Sequence, residues 1–173
     1  LVDKRLVTDQ IVLTVGYDIE NLTDPKQRGK YKGAVTVDRY GRKVPKHAHG
    51  TTNLKKQTSS TRLITKAVLE LYDQIVDKNL LIRRINITAN KLVDESTVSE
   101  KVEFEQLDLF TDYQAREKEE AKEEAVLERE KRMQRAMRDI KKKFGKNAIL
   151  KGMNLQEGAT ARDRNKQIGG HKA

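Results

Sequence analysis

The stretch QIVLTVGYD, residues 10–18, decides the fold. Ile11, Leu13, Val15 and Tyr17 are apolar or aromatic and fall at every second position. Because successive side chains of a strand point to opposite faces of a sheet, these four residues would share one buried face. The stretch therefore predicts a β-strand with one side against a core and the other side open.

Further strand signals follow along the chain. Residues 34–38 can form a second strand, residues 40–41 turn the chain, and residues 42–54 return it. Pro45 cannot donate a ladder hydrogen bond, so the returning strand is an edge or starts after the proline. Residues 85–89 alternate again between apolar and polar side chains, which predicts a last, half-buried strand.

A helix is predicted between the returning strand and the last one. Apolar residues come there as adjacent pairs four positions apart, which makes one stripe along a helix that ends near Asn79. The candidate N-caps are Ser59, Ser60 and Thr61. A helix on one face of a small antiparallel sheet is an α+β arrangement, and it leaves the opposite face of the sheet open. The stripe consists of Leu63, Ile64, Ala67, Val68, Leu71, Tyr72, Ile75 and Val76.

Positive charge is concentrated in one part of the chain. The formal net charge is +10, and residues 26–66 contain twelve Lys and Arg but one acid, Asp38, so this stretch alone carries 12 − 1 = +11. Such a patch attracts polyanions, because phosphate contacts release counterions. We therefore expect a nucleic-acid partner. The alternative is a solvated lysine-rich face.

The second half of the chain has a different composition. Residues 93–105 are polar, like a linker, and residues 112–144 contain no Gly or Pro and many helix-forming residues. The apolar stripe of this second helix is weak, and Gly145 is its predicted stop. The predicted organisation is a compact domain, a linker, a long charged helix and a basic flexible tail, over residues 1–93, 94–111, 112–145 and 146–173.

The linker contains the sharpest motif, QLDLF. Its five residues are Gln106, Leu107, Asp108, Leu109 and Phe110, and three of them are large and apolar in a polar setting. Such side chains need a burial partner. They either fold back onto the compact domain or act as a short linear motif, in which the Leu-Phe pair fills an apolar pocket and the glutamine fixes the register.

Several kinds of function are disfavoured. The chain has no Cys, no phosphate-binding glycine loop and no carboxylate pair placed for two-metal phosphoryl transfer, so an enzyme is not expected. His47 and His49 could suit a metal if both lie on one side of a strand. Contact with phosphate or sugar is favoured over a metal for them, because Arg42, Lys43 and Lys46 lie nearby. No membrane segment is indicated, and the cytoplasm is the expected location.

With the basic hairpin, the capped helix, the last strand and QLDLF in this order, the chain resembles the C-terminal part of a Y-family (UmuC/DinB-like) translesion DNA polymerase. The likeness is to the UV-damage-repair type of Gram-positive bacteria. It rests on segments that cover nearly the whole chain, including the tail. They are LVTDQIVLTVGYD, YGRKVPKHAHGTTNL, RRINITANKL, QLDLF and FGKNAILKGMNLQEGATARDRNKQIGGHKA.

The resemblance implies a little-finger domain, a four-stranded sheet with two helices on one face, whose open face grips DNA backbones without reading sequence. QLDLF resembles the bacterial clamp-binding pentapeptide, so the implied partners are DNA and the bacterial β sliding clamp, within DNA repair and the SOS response. The implied DNA-facing residues are Arg39, Arg42, Lys43, Lys46, His47, His49, Thr51, Arg84, Asn86 and Thr88.

The sequence departs from the family at its start. The palm, fingers and thumb are absent, and with them the carboxylates that bind catalytic magnesium, so no cofactor is expected in this piece. Leu1 stands where Met would begin a chain, and the first strand and first helix of the little finger are expected to be missing. Two alternatives remain: a free-standing basic nucleic-acid-binding protein, and a scaffold whose long helix recruits proteins.

Overall fold

The computed structural model describes residues 1–29, 31–98, 113–168 and 171–172. These residues form two compact units. The first contains Leu1 and the described residues from 5 to 98, and the second contains Val2–Lys4 with the described residues from 113 onward.

The first unit is built around a long central strand, β1, at Leu6–Tyr17. β4 (Ala48–Thr58) and β5 (Ile82–Asn90) both pair with it in antiparallel fashion, so the sheet order is β4-β1-β5. The short β6 (Val93–Asp94) pairs with the start of β1. The remaining elements of this unit are α1 (Glu20–Thr23), α2 (Pro25–Arg28), β2 (Val35–Val37), β3 (Lys43–Pro45), α3 (Thr61–Ile75) and a 3-10 turn at Glu95–Thr97.

One face of this sheet carries the core. Ile11, Leu13 and Val15 are completely buried, as the alternation of β1 predicts, and Val68 and Leu71 of α3 pack against them. The predicted α+β fold, with a small antiparallel sheet and a helix on one face, is therefore confirmed.

The boundaries of α3 follow from specific contacts. The Ser60 hydroxyl accepts a hydrogen bond from the Leu63 N–H at 3.2 Å, which confirms one of the predicted N-caps. The helix ends at Ile75, about one turn before the predicted end near Asn79. Val76 is extended there and enters the core, while the Tyr17 hydroxyl accepts the Asp77 N–H at 2.9 Å.

The returning segment is divided in two by Pro45. β3 ends at this proline and pairs only with β2 among the described strands, while β4 begins three residues later at Ala48. Pro45 thus meets both expectations from the sequence: it ends a short strand that has one partner in the described part of the chain, and the long returning strand begins only after it.

The last strand, β5, is less buried than its alternation predicts. Ile85 and Ile87 lie opposite Val15 and Leu13 and hence on the core side of the sheet, yet they are 52% and 55% exposed. The reason is the position of α3, which packs against β4 and β1. The expected burial of these two isoleucines is therefore wrong for the described residues.

The second unit contains α4 at Tyr113–Phe144, where the sequence predicts a helix over residues 112–145. It ends as predicted at Gly145, whose positive φ of 93° suits a glycine stop. Asp3 is ion-paired with Arg138 and with Lys142 of this helix, and these cations hold the pKa of the Asp3 carboxyl below its usual value. The tail contains a 3-10 turn at Gly152–Leu155, α5 (Ala161–Arg164), β7 (Gln167–Ile168) and β8 (His171–Lys172).

Candidate nucleic-acid interface

The face of the sheet opposite the core is open and polar. In the antiparallel register, Thr14 of β1 lies between His49 of β4 and Asn86 of β5, and directly paired residues share a face. The same register adds further residues to this face, which we call the open face: Gln10, Val12, Thr14 and Gly16 of β1, His49, Thr51 and Asn53 of β4, and Arg84, Asn86, Thr88 and Asn90 of β5.

Hydrogen bonds between side chains order the open face. Thr14 Oγ1 and His49 Nδ1 are 2.9 Å apart, and Gln10 Nε2 donates to Asn53 Oδ1 at 3.0 Å. Along β5, Arg84 Nε donates to Asn86 Oδ1 at 3.1 Å. Amides, hydroxyls, an imidazole and a guanidinium thus lie in one layer, which suits contacts to phosphate and sugar oxygens.

The hairpin formed by β2 and β3, which also belongs to the first unit, carries a cluster of positively charged residues. Arg39 and Arg42 lie at its tip, Lys43 begins β3, and Lys46 follows Pro45; all four side chains are exposed. The backbone N–H of Lys46 donates to the Ala34 carbonyl at 2.8 Å, which anchors the base of the hairpin. The basic stretch of the sequence is therefore presented on a folded hairpin.

Asp38, the acid among these cations, is itself neutralised. Arg42 donates to Asp38 Oδ2 from Nε at 2.9 Å and from Nη2 at 2.7 Å. These bonds lower the pKa of the Asp38 carboxyl and raise the pKa of Arg42. Asp38 therefore remains ionised and paired, and the surrounding basic residues determine the sign of the charge at the hairpin.

The predicted DNA-facing residues divide between these two groups. His49, Thr51, Arg84, Asn86 and Thr88 share the open face, whereas Arg39, Arg42, Lys43 and Lys46 belong to the hairpin or its base. His47 lies between the hairpin and β4, and its ring centroid is 6.3 Å from that of His49 on the open face. Prediction from sequence alone did not include Gln10, Thr14, Asn53 and Asn90, although the alternation of β1 places Gln10 and Thr14 opposite the apolar side.

The geometry gives no support to a metal at the histidine pair. Within the described residues, no group of three or more His, Asp or Glu side chains is close enough to hold a metal ion. The same part of the chain contains no helix with the length and hydropathy needed to cross a membrane. The motif Gln106–Phe110 lies outside the described residues, so its role stays a prediction.

Comparison with known proteins adds the family. A model described as the impB/mucB/samB family C-terminal domain matches residues 1–109, which is more than half of the chain. A search of curated proteins found no match, and a search of solved structures found none either. The matched region contains the whole sheet, the hairpin and α3, and it ends at Leu109, one residue before the end of the QLDLF motif.

Proposed function

The chain belongs to the impB/mucB/samB family, whose matched domain is the non-catalytic C-terminal domain of Y-family UmuC- and DinB-like polymerases, and on this premise we propose that it tethers such a polymerase to DNA and to the sliding clamp. In this proposal the open face and the hairpin grip the DNA backbone without reading sequence. Residues Gln106–Phe110 bind the bacterial β clamp. The proposed location is the cytoplasm, at the nucleoid.

The separation of the two faces of the sheet is the observation that supports DNA binding. One face buries Ile11, Leu13 and Val15 under α3, while the other presents polar side chains and Arg84 to solvent. Polar side chains arranged along adjacent strands can contact phosphates and sugars, which position a duplex but do not identify its bases. The cationic hairpin supplies the salt-dependent attraction.

Removal of one cation from the open face and one from the base of the hairpin tests this part of the proposal. Arg84→Gln with Lys46→Gln removes one Arg and one Lys, and we expect duplex affinity to fall about tenfold with a salt slope smaller by about 2. The matched control is Arg62→Gln with Lys66→Gln, which removes the same charges from exposed positions on α3. Equal losses in both variants would contradict the placement of DNA on the open face, since net charge alone would explain them.

The clamp motif is supported by its sequence and position. QLDLF matches the clamp-binding pentapeptide at each position and lies between the sheet domain and α4. The test is Leu109→Ala with Phe110→Ala in the full chain, measured by binding to purified β clamp. The control variant scrambles Gln106–Phe110 with composition unchanged, and it should lose binding as completely as the alanine pair. Unchanged clamp binding in both variants would remove this half of the proposal.

The surface of α4 favours a second candidate function, the binding of a protein partner. Val126, Met133 and Ile140 lie seven residues apart on this helix and are 51%, 55% and 38% exposed. This spacing places them along one side of the helix, as in a helix-pairing seam. A partner captured through this side should still bind after deletion of Gln106–Phe110 and should be lost in Met133→Lys with Ile140→Lys.

A further inference from the structure

The tip of the β2–β3 hairpin is a folded turn organised by Asp38. Asp38 Oδ1 accepts the backbone N–H groups of Tyr40 at 2.8 Å and Arg42 at 3.0 Å, and Oδ2 accepts the Arg42 guanidinium. The Asp38 carbonyl accepts the Gly41 N–H at 3.0 Å, and Gly41 has a φ of 77° that favours glycine. Asp38 therefore holds three successive residues of the turn, Tyr40 and Arg42 through its carboxylate and Gly41 through its backbone carbonyl.

This turn presents an aromatic ring to solvent. Tyr40 is 75% exposed, and the guanidinium carbons of Arg42 and Arg39 lie 5.2 and 6.0 Å from its ring centroid. Cation–π contacts at exposed sites are weak, so they do not account for a large aromatic residue held out in water. A ring that is exposed, fixed in position and flanked by cations is suited to a flat, anionic partner.

We propose that Tyr40 stacks on an unpaired nucleobase of single-stranded DNA while Arg39 contacts an adjacent phosphate. This inference rests on the proposed function, because the single strand is taken to continue from the duplex on the open face. An unpaired base can offer its face to a ring, whereas bases inside a duplex are already stacked on one another. Stacking on aromatic side chains is the usual way in which proteins hold single strands without reading sequence.

The charges of the hairpin favour a nucleic acid over a protein at this tip. Four cations lie within residues 39–46, and the carboxylate of Asp38 is already occupied by Arg42. A nucleotide can contact both features at once, because its flat base can stack on the ring while its phosphate pairs with the cations. An apolar protein surface could pack against the ring, but it would remove water from the cations without giving them partners.

The length of the hairpin limits where the stacked base can lie. Tyr40 lies eight positions before Ala48, which pairs with Val15 at the end of the sheet. At about 3.3 Å per residue the tip reaches at most ~26 Å beyond the sheet. With bases about 3.4 Å apart along a duplex strand, the stacked base should lie within about eight nucleotides of the gripped duplex.

The test uses the full chain and three DNA probes: a blunt duplex, the same duplex with an eight-nucleotide single-stranded overhang, and that overhang built from abasic nucleotides. The wild-type chain should prefer the overhang with bases to the abasic one by about 5- to 100-fold. Tyr40→Ala should abolish this preference, and Tyr40→Phe should keep it, because phenylalanine retains the ring. A 2-aminopurine in the overhang should be quenched by the wild-type chain and by Tyr40→Phe.

Each contrary result has a defined meaning. A wild-type chain that does not distinguish bases from abasic nucleotides, a Tyr40→Ala chain that still does, or a Tyr40→Phe chain that does not, would overturn the stacking. The blunt duplex reports the open face, so its failure to bind the wild-type chain would contradict the proposed function instead. Tyr40→Ala should leave blunt-duplex affinity within twofold of wild type.

A second variant separates the shape of the turn from its charge. Asp38→Ala removes a negative charge, so attraction of the hairpin for DNA should increase if charge alone matters. Because Asp38 also fixes the turn that holds Tyr40, we expect the base preference to fall at least threefold while blunt-duplex affinity stays equal or rises. If Asp38→Ala instead raised both the preference for bases and the blunt-duplex affinity, the claim that Asp38 holds Tyr40 in position for stacking would be overturned.

Discussion

The side chain of Asn21 forms a pair of hydrogen bonds with the backbone of Leu81, donating from Nδ2 to its carbonyl at 3.0 Å and accepting its N–H at Oδ1 at 2.9 Å. Asn21 is completely buried and also donates to the Asp18 carbonyl at 2.9 Å. It therefore joins the segment after β1 to the segment before β5. These two segments are 60 residues apart in the sequence.

The first prediction concerns this buried amide. Asn21→Ala removes three hydrogen bonds of a completely buried side chain, including the acceptor of the Leu81 N–H, so it should lower the free energy of unfolding by about 2–4 kcal/mol. The matched control is Asn53→Ala, which removes the exposed amide that accepts from Gln10 and should cost less than about 1 kcal/mol. Urea denaturation of the full chain measures both. Equal stabilities would contradict the structural role of Asn21.

A second prediction concerns the close approach of α3 to β4 at Gly50. A Cβ at this position would lie 3.0 Å from Leu71 Cδ1 and 3.1 Å from Ile75 Cδ1. Gly50→Val therefore requires the Leu71 and Ile75 side chains to move, and we expect a loss of about 1–3 kcal/mol in the free energy of unfolding. Gly41→Val has open space around it but a positive φ. Its strain should remain local to the turn and weaken the core less, which near-ultraviolet dichroism can show.

The pH dependence of the hairpin tip gives a third prediction. The pKa of the Asp38 carboxyl lies below its usual 3.8 because Arg42 and backbone N–H groups favour the charged form. A lowered folded-state pKa stabilises the turn above the unfolded-state pKa, and this stabilisation is lost as the pH falls through the folded-state value. The Asp38 carboxyl should therefore titrate below pH 3.8 in a carbon-detected NMR experiment. In Arg42→Gln the midpoint should move upward, and an unchanged midpoint would contradict the pairing.

A fourth prediction distinguishes the half-exposed isoleucines of β5 from the buried core residues of β1. Ile85→Thr with Ile87→Thr changes two side chains that are about half exposed, so we expect at most about 1–2 kcal/mol of destabilisation for the pair. Leu13→Ala, which empties a completely buried site, should cost about 3 kcal/mol or more. A larger loss from the isoleucine pair would show that something covers these residues in solution.

The contrast between β1 and β5 shows how far sequence predicts this fold. Alternation in β1 and the apolar stripe of α3 predict the core correctly, because these two elements pack against each other: Ile11, Leu13 and Val15 form one buried cluster with Val68 and Leu71. β5 carries the same alternation, but alternation only states which side chains share a face. Whether that face is covered depends on where α3 packs, which is a long-range property.

The candidate site shows a similar limit. Basic composition identifies the hairpin, and residue alternation identifies half of the open face. The register that places Arg84 opposite Gly16, and Asn86 opposite Thr14, requires the strand order. The buried role of Asn21 has no sequence signal either, because the sequence around it predicts only a polar loop and its partners are remote.

The last prediction tests whether the two proposed sites act together as a tether. Gln106 is eight residues from Val98, the last described residue of the first unit, and so can lie at most about 28 Å from it. With such a short connection, binding at one site should raise the effective concentration at the other into the millimolar range. The full chain should therefore bind clamp loaded on DNA about 100-fold or more tightly than free clamp or free DNA. Arg84→Gln with Lys46→Gln, which should weaken duplex binding about tenfold, should lower the affinity for clamp on DNA by a similar factor. Leu109→Ala with Phe110→Ala should reduce it to the affinity for DNA alone. If the full chain instead bound clamp loaded on DNA no more tightly than free clamp or free DNA, the sites would act separately and the tether would be excluded.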